Sequence, residues 1–121
     1  VEVCDVLTDN NELIHVKKNG GSSYLSHLFN QAVVSGTLLF DVGFRNEVNR
    51  KTQKTIFPTN FNSNDYTIIL AIITNKNSDR PKIPFFSQVA IRYAIETLQK
   101  MGYEVKIKNI YNTILKEKNN L

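Results

Sequence analysis

Residues 4–18 read CDVLTDNNELIHVKK, and the way this stretch folds sets the architecture of the chain. Within VEVCDVL (1–7), Val1, Val3, Asp5 and Leu7 alternate with Glu2, Cys4 and Val6, a two-residue period that predicts a strand. TDNN (8–11) predicts the turn, because Asp and Asn side chains bond their own main chain and tolerate left-handed backbone. ELIHVKK (12–18) is the returning arm, which makes the stretch a β-hairpin. Side chains alternate faces along a strand, so register decides which groups meet. Paired residue numbers with an even sum, such as 20 or 22, set Asp5 opposite His15 or Lys17 on a shared face, whereas an odd sum brings Cys4 there instead.

Downstream, NGGSS (19–23) is a tight loop in which Ser22 or Ser23 can cap a helix beginning near Tyr24. In SYLSHLFNQAVVSGTLLF (23–40), Leu25, Leu28, Phe29, Ala32 and Val33 recur at helical spacing, and Gly36 breaks or weakens the end. DVGFRNEVNRKTQ (41–53) predicts a second short helix with Phe44 and Val48 inward and Arg45, Arg50, Lys51 and Lys54 outward. FPTNFNSND (57–65) reads as loop. YTIILAIIT (66–74) is nearly all apolar, as in a central strand covered on both sides. NKNSDRPKIP (75–84) is an exposed loop carrying Lys76, Arg80 and Lys82.

FFSQVAIRYAIETLQKMG (85–102) predicts a helix with Phe86, Val89, Tyr93, Ile95 and Leu98 available for burial and Gly102 as its stop. YEVKIKNIY (103–111) alternates Val105 and Ile107 with Lys106 and Lys108, a last strand, before the polar tail NTILKEKNNL (112–121). The order is β-β-α-α-β-α-β: an α/β chain with a mixed β-sheet flanked by helices, in which strands joined through a helix run parallel.

The 121 residues suit one domain, residues 1–121, with a core of useful size. The chain opens on a strand pattern with no initiating methionine, so it is expected to be the C-terminal fragment of a longer protein whose upstream region is a partner. A net charge of +4 leans towards a polyanionic partner. The lone cysteine, Cys4, excludes an internal disulfide and, with only two histidines, argues against a closed structural zinc site. No stretch approaches the apolar length of a membrane span, and no signal peptide is present, so the expected setting is cytoplasmic and away from membranes.

A hairpin needs no carboxylate, imidazole and ammonium together, whereas metal-dependent phosphodiester hydrolysis does. A divalent ion neutralises charge on the scissile phosphate, a carboxylate such as Asp5 holds it, and an ammonium such as Lys17 orients the attacking water. The exposed amides of Gly20, Gly21, Ser22 and Ser23 at the helix start can accept a DNA phosphate. Plainer readings stand beside these. Asp5 and Lys17 can form a cross-strand ion pair, His15 can be an interior histidine satisfied by a hydrogen bond, and GGSS can be only a helix cap.

An Asp on one strand, a turn, then a strand ending His15-Val16-Lys17 and a helix resembles the core of the PD-(D/E)XK restriction-endonuclease-like superfamily. KKNGGSSYLSHLFNQAVVSG resembles the branch related to methylated-DNA restriction enzymes, in which Lys is followed by a basic or aromatic residue and the helix carries a Gln; Lys18 and Gln31 match. IHVKKNGGSSYLSHLFNQAVVS and IPFFSQVAIRYAIETLQKMGYEV are similar to the C-terminal part of a sporadically distributed bacterial family of unknown function, whose patchy occurrence points to defence or mobile loci.

The resemblance implies a restriction-endonuclease-like fold and a metal-dependent nuclease acting on DNA, with Asp5, His15, Lys17 and Gln31 as catalytic residues. Asp5 and His15 would bind Mg²⁺ or Mn²⁺, and Lys18 with Gly20, Gly21, Ser22 and Ser23 would contact the nucleic acid. The alternative is a catalytically inactive module of the same fold that binds nucleic acid or a partner domain. His15 stands where the family pattern has its second acid, and imidazole suits Mn²⁺ better than Mg²⁺.

Overall fold

A computed structural model describes residues 3–18, 22–74 and 85–111. The order is β1 (Val6–Leu7), β2 (Glu12–Lys18), α1 (Ser22–Leu38), α2 (Val42–Thr52), a 3-10 turn (Ser63–Asp65), β3 (Thr67–Thr74), α3 (Phe85–Lys100) and β4 (Glu104–Tyr111). The strands form one mixed sheet in the order β1-β2-β3-β4, with β1 antiparallel to β2 and the remaining pairs parallel. This is the expected α/β arrangement. The order of strands advances twice in one direction, and α1 and α3, from the two crossovers, lie on the same face, where they pack against each other.

The hairpin turns as expected. Thr8 Oγ1 accepts from the Asn10 and Glu12 amides, and Asn11 adopts a left-handed φ of 60°. Val6 pairs with Ile14 and Leu7 with Leu13, so the register sum is 20 over the paired residues, and just before them the Asp5 N–H donates to the Ile14 carbonyl at 2.9 Å. The first strand is shorter than its alternation predicts. In continued register the Val16 N–H would be taken by the Cys4 carbonyl, but Asp5 Oδ2 accepts it at 2.7 Å and ends the ladder.

One sheet face supplies Leu13, Ile68, Leu70 and Ile72 to a core closed by Leu25, Leu28, Phe29 and Ala32 of α1 and Ile91, Ala94 and Leu98 of α3. Ile69 and Ala71, on the opposite face of β3, are also buried, which explains why that strand is apolar at nearly every position. On β4, Val105 and Lys106 pair with Ile68 and Ile69 and so share their respective faces.

Gly36 does not end α1. A Cβ there would come within 2.7 Å of Leu98 Cδ2, and its carbonyl accepts the Tyr103 hydroxyl at 2.7 Å, so this glycine serves close helix packing. Arg45 does not point outward. It is buried and donates to the carbonyls of Leu39 at 2.7 Å, Thr59 at 2.9 Å and Pro58 at 3.3 Å, with its guanidinium 5.2 Å from the Phe61 ring centroid. Five donors in a rigid fork let arginine satisfy several loop carbonyls at once, which outweighs the cost of burying it.

The inward face of α3 differs from expectation in part: Leu98 is buried and Ile95 packs against the core as expected. Ser87, Ile91, Ala94 and Leu98 are buried, whereas Phe86, Val89 and Tyr93 are exposed. Small side chains at 87 and 94 let the helix approach its neighbours, which large rings on that face would prevent. The loop carrying Lys76, Arg80 and Lys82 and the tail 112–121 lie outside the described residues.

Candidate functional site

His15 is the most constrained polar group of the hairpin. It faces the helical side of the sheet, paired with Leu70 on β3, and is 4% exposed. Its Nε2 lies 3.4 Å from Ser35 Oγ on α1. Burial lowers its pKa below the usual histidine value, and the Asp5 carboxylate opposes that shift in part. The neutral imidazole is therefore the favoured form. An Asp, a His and a Ser in sequence suggest a nucleophile and its base, but Ser35 is 1% exposed and its hydroxyl donates to the Ala32 carbonyl at 3.3 Å. A substrate carbonyl has no route to that oxygen, so Ser35 satisfies the histidine rather than attacking a substrate.

Lys17 lies two residues on from His15, on the same face and half-buried, at the end of β2 where the chain turns into α1. Among the described residues Asp5 and Lys17 form no ion pair, because the Asp5 carboxylate is turned to the Val16 amide. Lys18 is exposed and points to the opposite face. Ser22 opens α1 and Ser23 is exposed on it, while Gly20 and Gly21 lie outside the described residues. Gln31 is exposed on α1, one turn before Ser35, so it is beside the histidine's partner without reaching the histidine. Ser35 had no motif to mark it; its only sequence signal is a polar residue at position i+10 from Leu25 within the buried stripe.

The donor set does not suit Mg²⁺. That ion takes oxygen ligands in octahedral geometry, whereas among the described residues Asp5 is the one carboxylate here, with an oxygen engaged by an amide, and its neighbour is a buried imidazole. Glu12 sits at the other end of β2, where it accepts from Thr8 Oγ1 at 3.0 Å. No group of three or more His, Cys, Asp or Glu side chains among the described residues could hold a metal.

The ends of the helices add an electrostatic feature. α1 leaves the C-terminal end of β2, and α3 runs back to the start of the parallel strand β4, so both helix N-termini point to the C-terminal edge of the sheet. Neither has an acid in its first turn, and Lys17 and Lys18 close β2 at that same edge. Helix dipoles and ammonium groups therefore act there with one sign.

A family model described as a family of unknown function, DUF6119, matches residues 1–111. The chain belongs to this family. No curated protein and no solved structure matches it. Among the described residues no helix is long and apolar enough to cross a membrane.

Proposed function

We propose that this DUF6119 chain is a restriction-endonuclease-like module that binds the phosphodiester backbone of DNA at the C-terminal edge of its sheet without cleaving it. The observation that carries the reading is the convergence of the α1 and α3 N-termini, free of first-turn acids, with Lys17 and Lys18 on one edge. Backbone amides and helix dipoles at such an edge favour an anion, and open α/β sheets take their ligands there. The net charge of +4 adds long-range attraction to a polyanion. The hairpin order, with Asp5 followed by His15-Val16-Lys17, a helix and a parallel strand, agrees with descent from a nuclease of the PD-(D/E)XK type working in the cytoplasm, in defence or mobile-element biology.

Loss of cleavage follows from the Asp5 and His15 chemistry. A carboxylate that accepts a main-chain amide and an imidazole held neutral beside a serine are poor ligands for a hard ion. One observation favours a second reading, retained cleavage with Mn²⁺: Asp5 and His15 are close enough for the carboxylate to act on the imidazole's proton affinity, and this pair suits a softer ion.

Fluorescence anisotropy with a short DNA duplex, together with plasmid nicking in Mg²⁺ and in Mn²⁺, tests both. The binding reading expects salt-sensitive affinity unchanged by EDTA, weakened several-fold by Lys17→Ala or Lys18→Ala, with intact plasmid in either ion. Nicking in Mn²⁺ that disappears with Lys17→Ala selects the second reading, and absence of DNA binding at low salt removes both.

A further inference from the structure

The opening residues of α3 are placed against the usual rule: two rings lie in solvent and a hydroxyl lies in the interior. Phe85 and Phe86 are 70% and 82% exposed, their rings edge to face with centroids 5.6 Å apart. Ser87, next in the chain, is 1% exposed, and its hydroxyl has no hydrogen-bond partner among the described residues. Burying such a group unpaired is unfavourable. On a helix the Cα–Cβ bond leans towards the N-terminus, so this hydroxyl is directed to the end of α3, where the first amides of a helix also lack intrahelical acceptors. Ser35 differs: in the middle of α1 it is engaged by both the Ala32 carbonyl and the His15 ring.

The surroundings of this turn have one electrostatic sign. Lys17 pairs in register with Ile72, and Ile72 with Asn109, so Lys17 and Asn109 stand in one row across the face that α3 covers. Two strand spacings put them about 10 Å apart. Arg92 is exposed, seven residues on from Phe85 and on the same side of the helix, roughly 10 Å along it. Residues 85–92 contain no acid, and Glu96 is the first, roughly 16 Å from the start of the helix.

We infer that this turn receives single-stranded nucleic acid, with one phosphate seated on the α3 N-terminus and Ser87 Oγ and the adjoining base stacked on the Phe85–Phe86 pair. The inference rests on the DNA-backbone reading above and narrows it to one class of ligand. A duplex keeps the faces of its bases stacked inside and presents phosphates and groove edges, so it has no group to lay on exposed rings. An unpaired base has a free π-face, and aromatic side chains within a cationic surface hold single strands in this way. Lys17, across the sheet, and Arg92, along the helix, are the cations for neighbouring phosphates. An apolar protein surface would match the rings but not the cations or the buried hydroxyl.

Fluorescence anisotropy at low salt with a labelled thymidine oligonucleotide of about 12 nucleotides, beside a duplex of the same length, provides the test. The single strand is expected to bind at least about tenfold more tightly than the duplex, and Phe86→Ala and Ser87→Ala each to weaken it several-fold. Ser87→Ala removes only a hydroxyl without a partner among the described residues, so a urea midpoint at or above that of the parent separates lost contact from lost fold. Equal affinity for the two forms, tighter binding of the duplex, or single-strand binding that either variant leaves intact overturns the inference while the DNA-backbone reading stands. No binding of either form overturns both.

Discussion

Asp5 Oδ2 accepts the Val16 N–H at 2.7 Å, a side-chain oxygen doing what a main-chain carbonyl would do in a longer strand. Asp5→Ala leaves that amide without its partner and frees the start of β1. Because the site is exposed and water can replace the carboxylate, urea unfolding should show a loss of about 1 kcal/mol, with Asp5→Asn closer to the parent because an amide oxygen still accepts. If Asp5 were instead held mainly for a metal, the asparagine variant would keep its stability and lose a Mn²⁺ response.

His15 should make stability depend on pH. Its folded pKa is below the unfolded value near 6.5 because burial disfavours the imidazolium, with Asp5 offsetting part of the effect. The unfolded chain then binds more protons on acidification, so the contribution of the neutral histidine is fully present above about pH 6.5 and falls away as pH drops towards the folded pKa. The melting temperature of the parent should fall between pH 7.5 and pH 5 more steeply than that of His15→Gln. Parallel curves would mean that His15 is accessible and readily protonated in the folded state.

Arg45 joins three loop carbonyls under the Phe61 ring, and a lysine cannot reproduce that fork. Arg45→Lys should cost about 2–4 kcal/mol, the sum expected for lost charged hydrogen bonds to buried carbonyls, read as a shift in the urea midpoint. An unchanged midpoint would show that the Leu39, Pro58 and Thr59 carbonyls are satisfied by water.

Gly36 and Tyr103 test the seam between α1 and the turn before β4. The phenol donates to the Gly36 carbonyl at 2.7 Å, and burial raises its pKa well above the ordinary tyrosine value. Tyr103→Phe should cost about 1–3 kcal/mol, because the buried carbonyl loses that donor. Gly36→Ala should cost about 1–3 kcal/mol by overpacking against Leu98, and pairing it with Leu98→Ala should recover part of that loss in the double variant. Additive costs would place the clash elsewhere.

The hairpin, its turn and the apolar run of β3 were legible from residues 4–18 and 66–74, because alternation and turn chemistry are local properties that neighbouring residues decide between themselves. The even register followed from the same stretch as one of two alternatives, and the sum of 20 selected it. Of the site, the common face of His15 and Lys17 was legible as well, since two residues apart on a strand means one face. Whether Asp5 would meet Lys17 or the Val16 amide was not, because both partners are available to an exposed carboxylate and only the end of β1 decides between them.

Three features belonged to the tertiary structure alone. The partner of His15 is Ser35, on a helix that reaches it only after the crossover is packed. Arg45 is charged and lies in a helix whose other cations are solvated, and it is buried because three carbonyls from residues 39, 58 and 59 happen to converge on it. On the helix Phe85–Lys100, large apolar residues stand on both the buried side (Ile91, Leu98) and the exposed side (Phe86, Val89, Tyr93), so the apolar positions alone did not settle which side turned inward. What the sequence by itself determined was the set and order of elements. Which side of α3 turned inward was decided by the space beside α1, where Ser87 and Ala94 fit and the rings of Phe86 and Tyr93 do not.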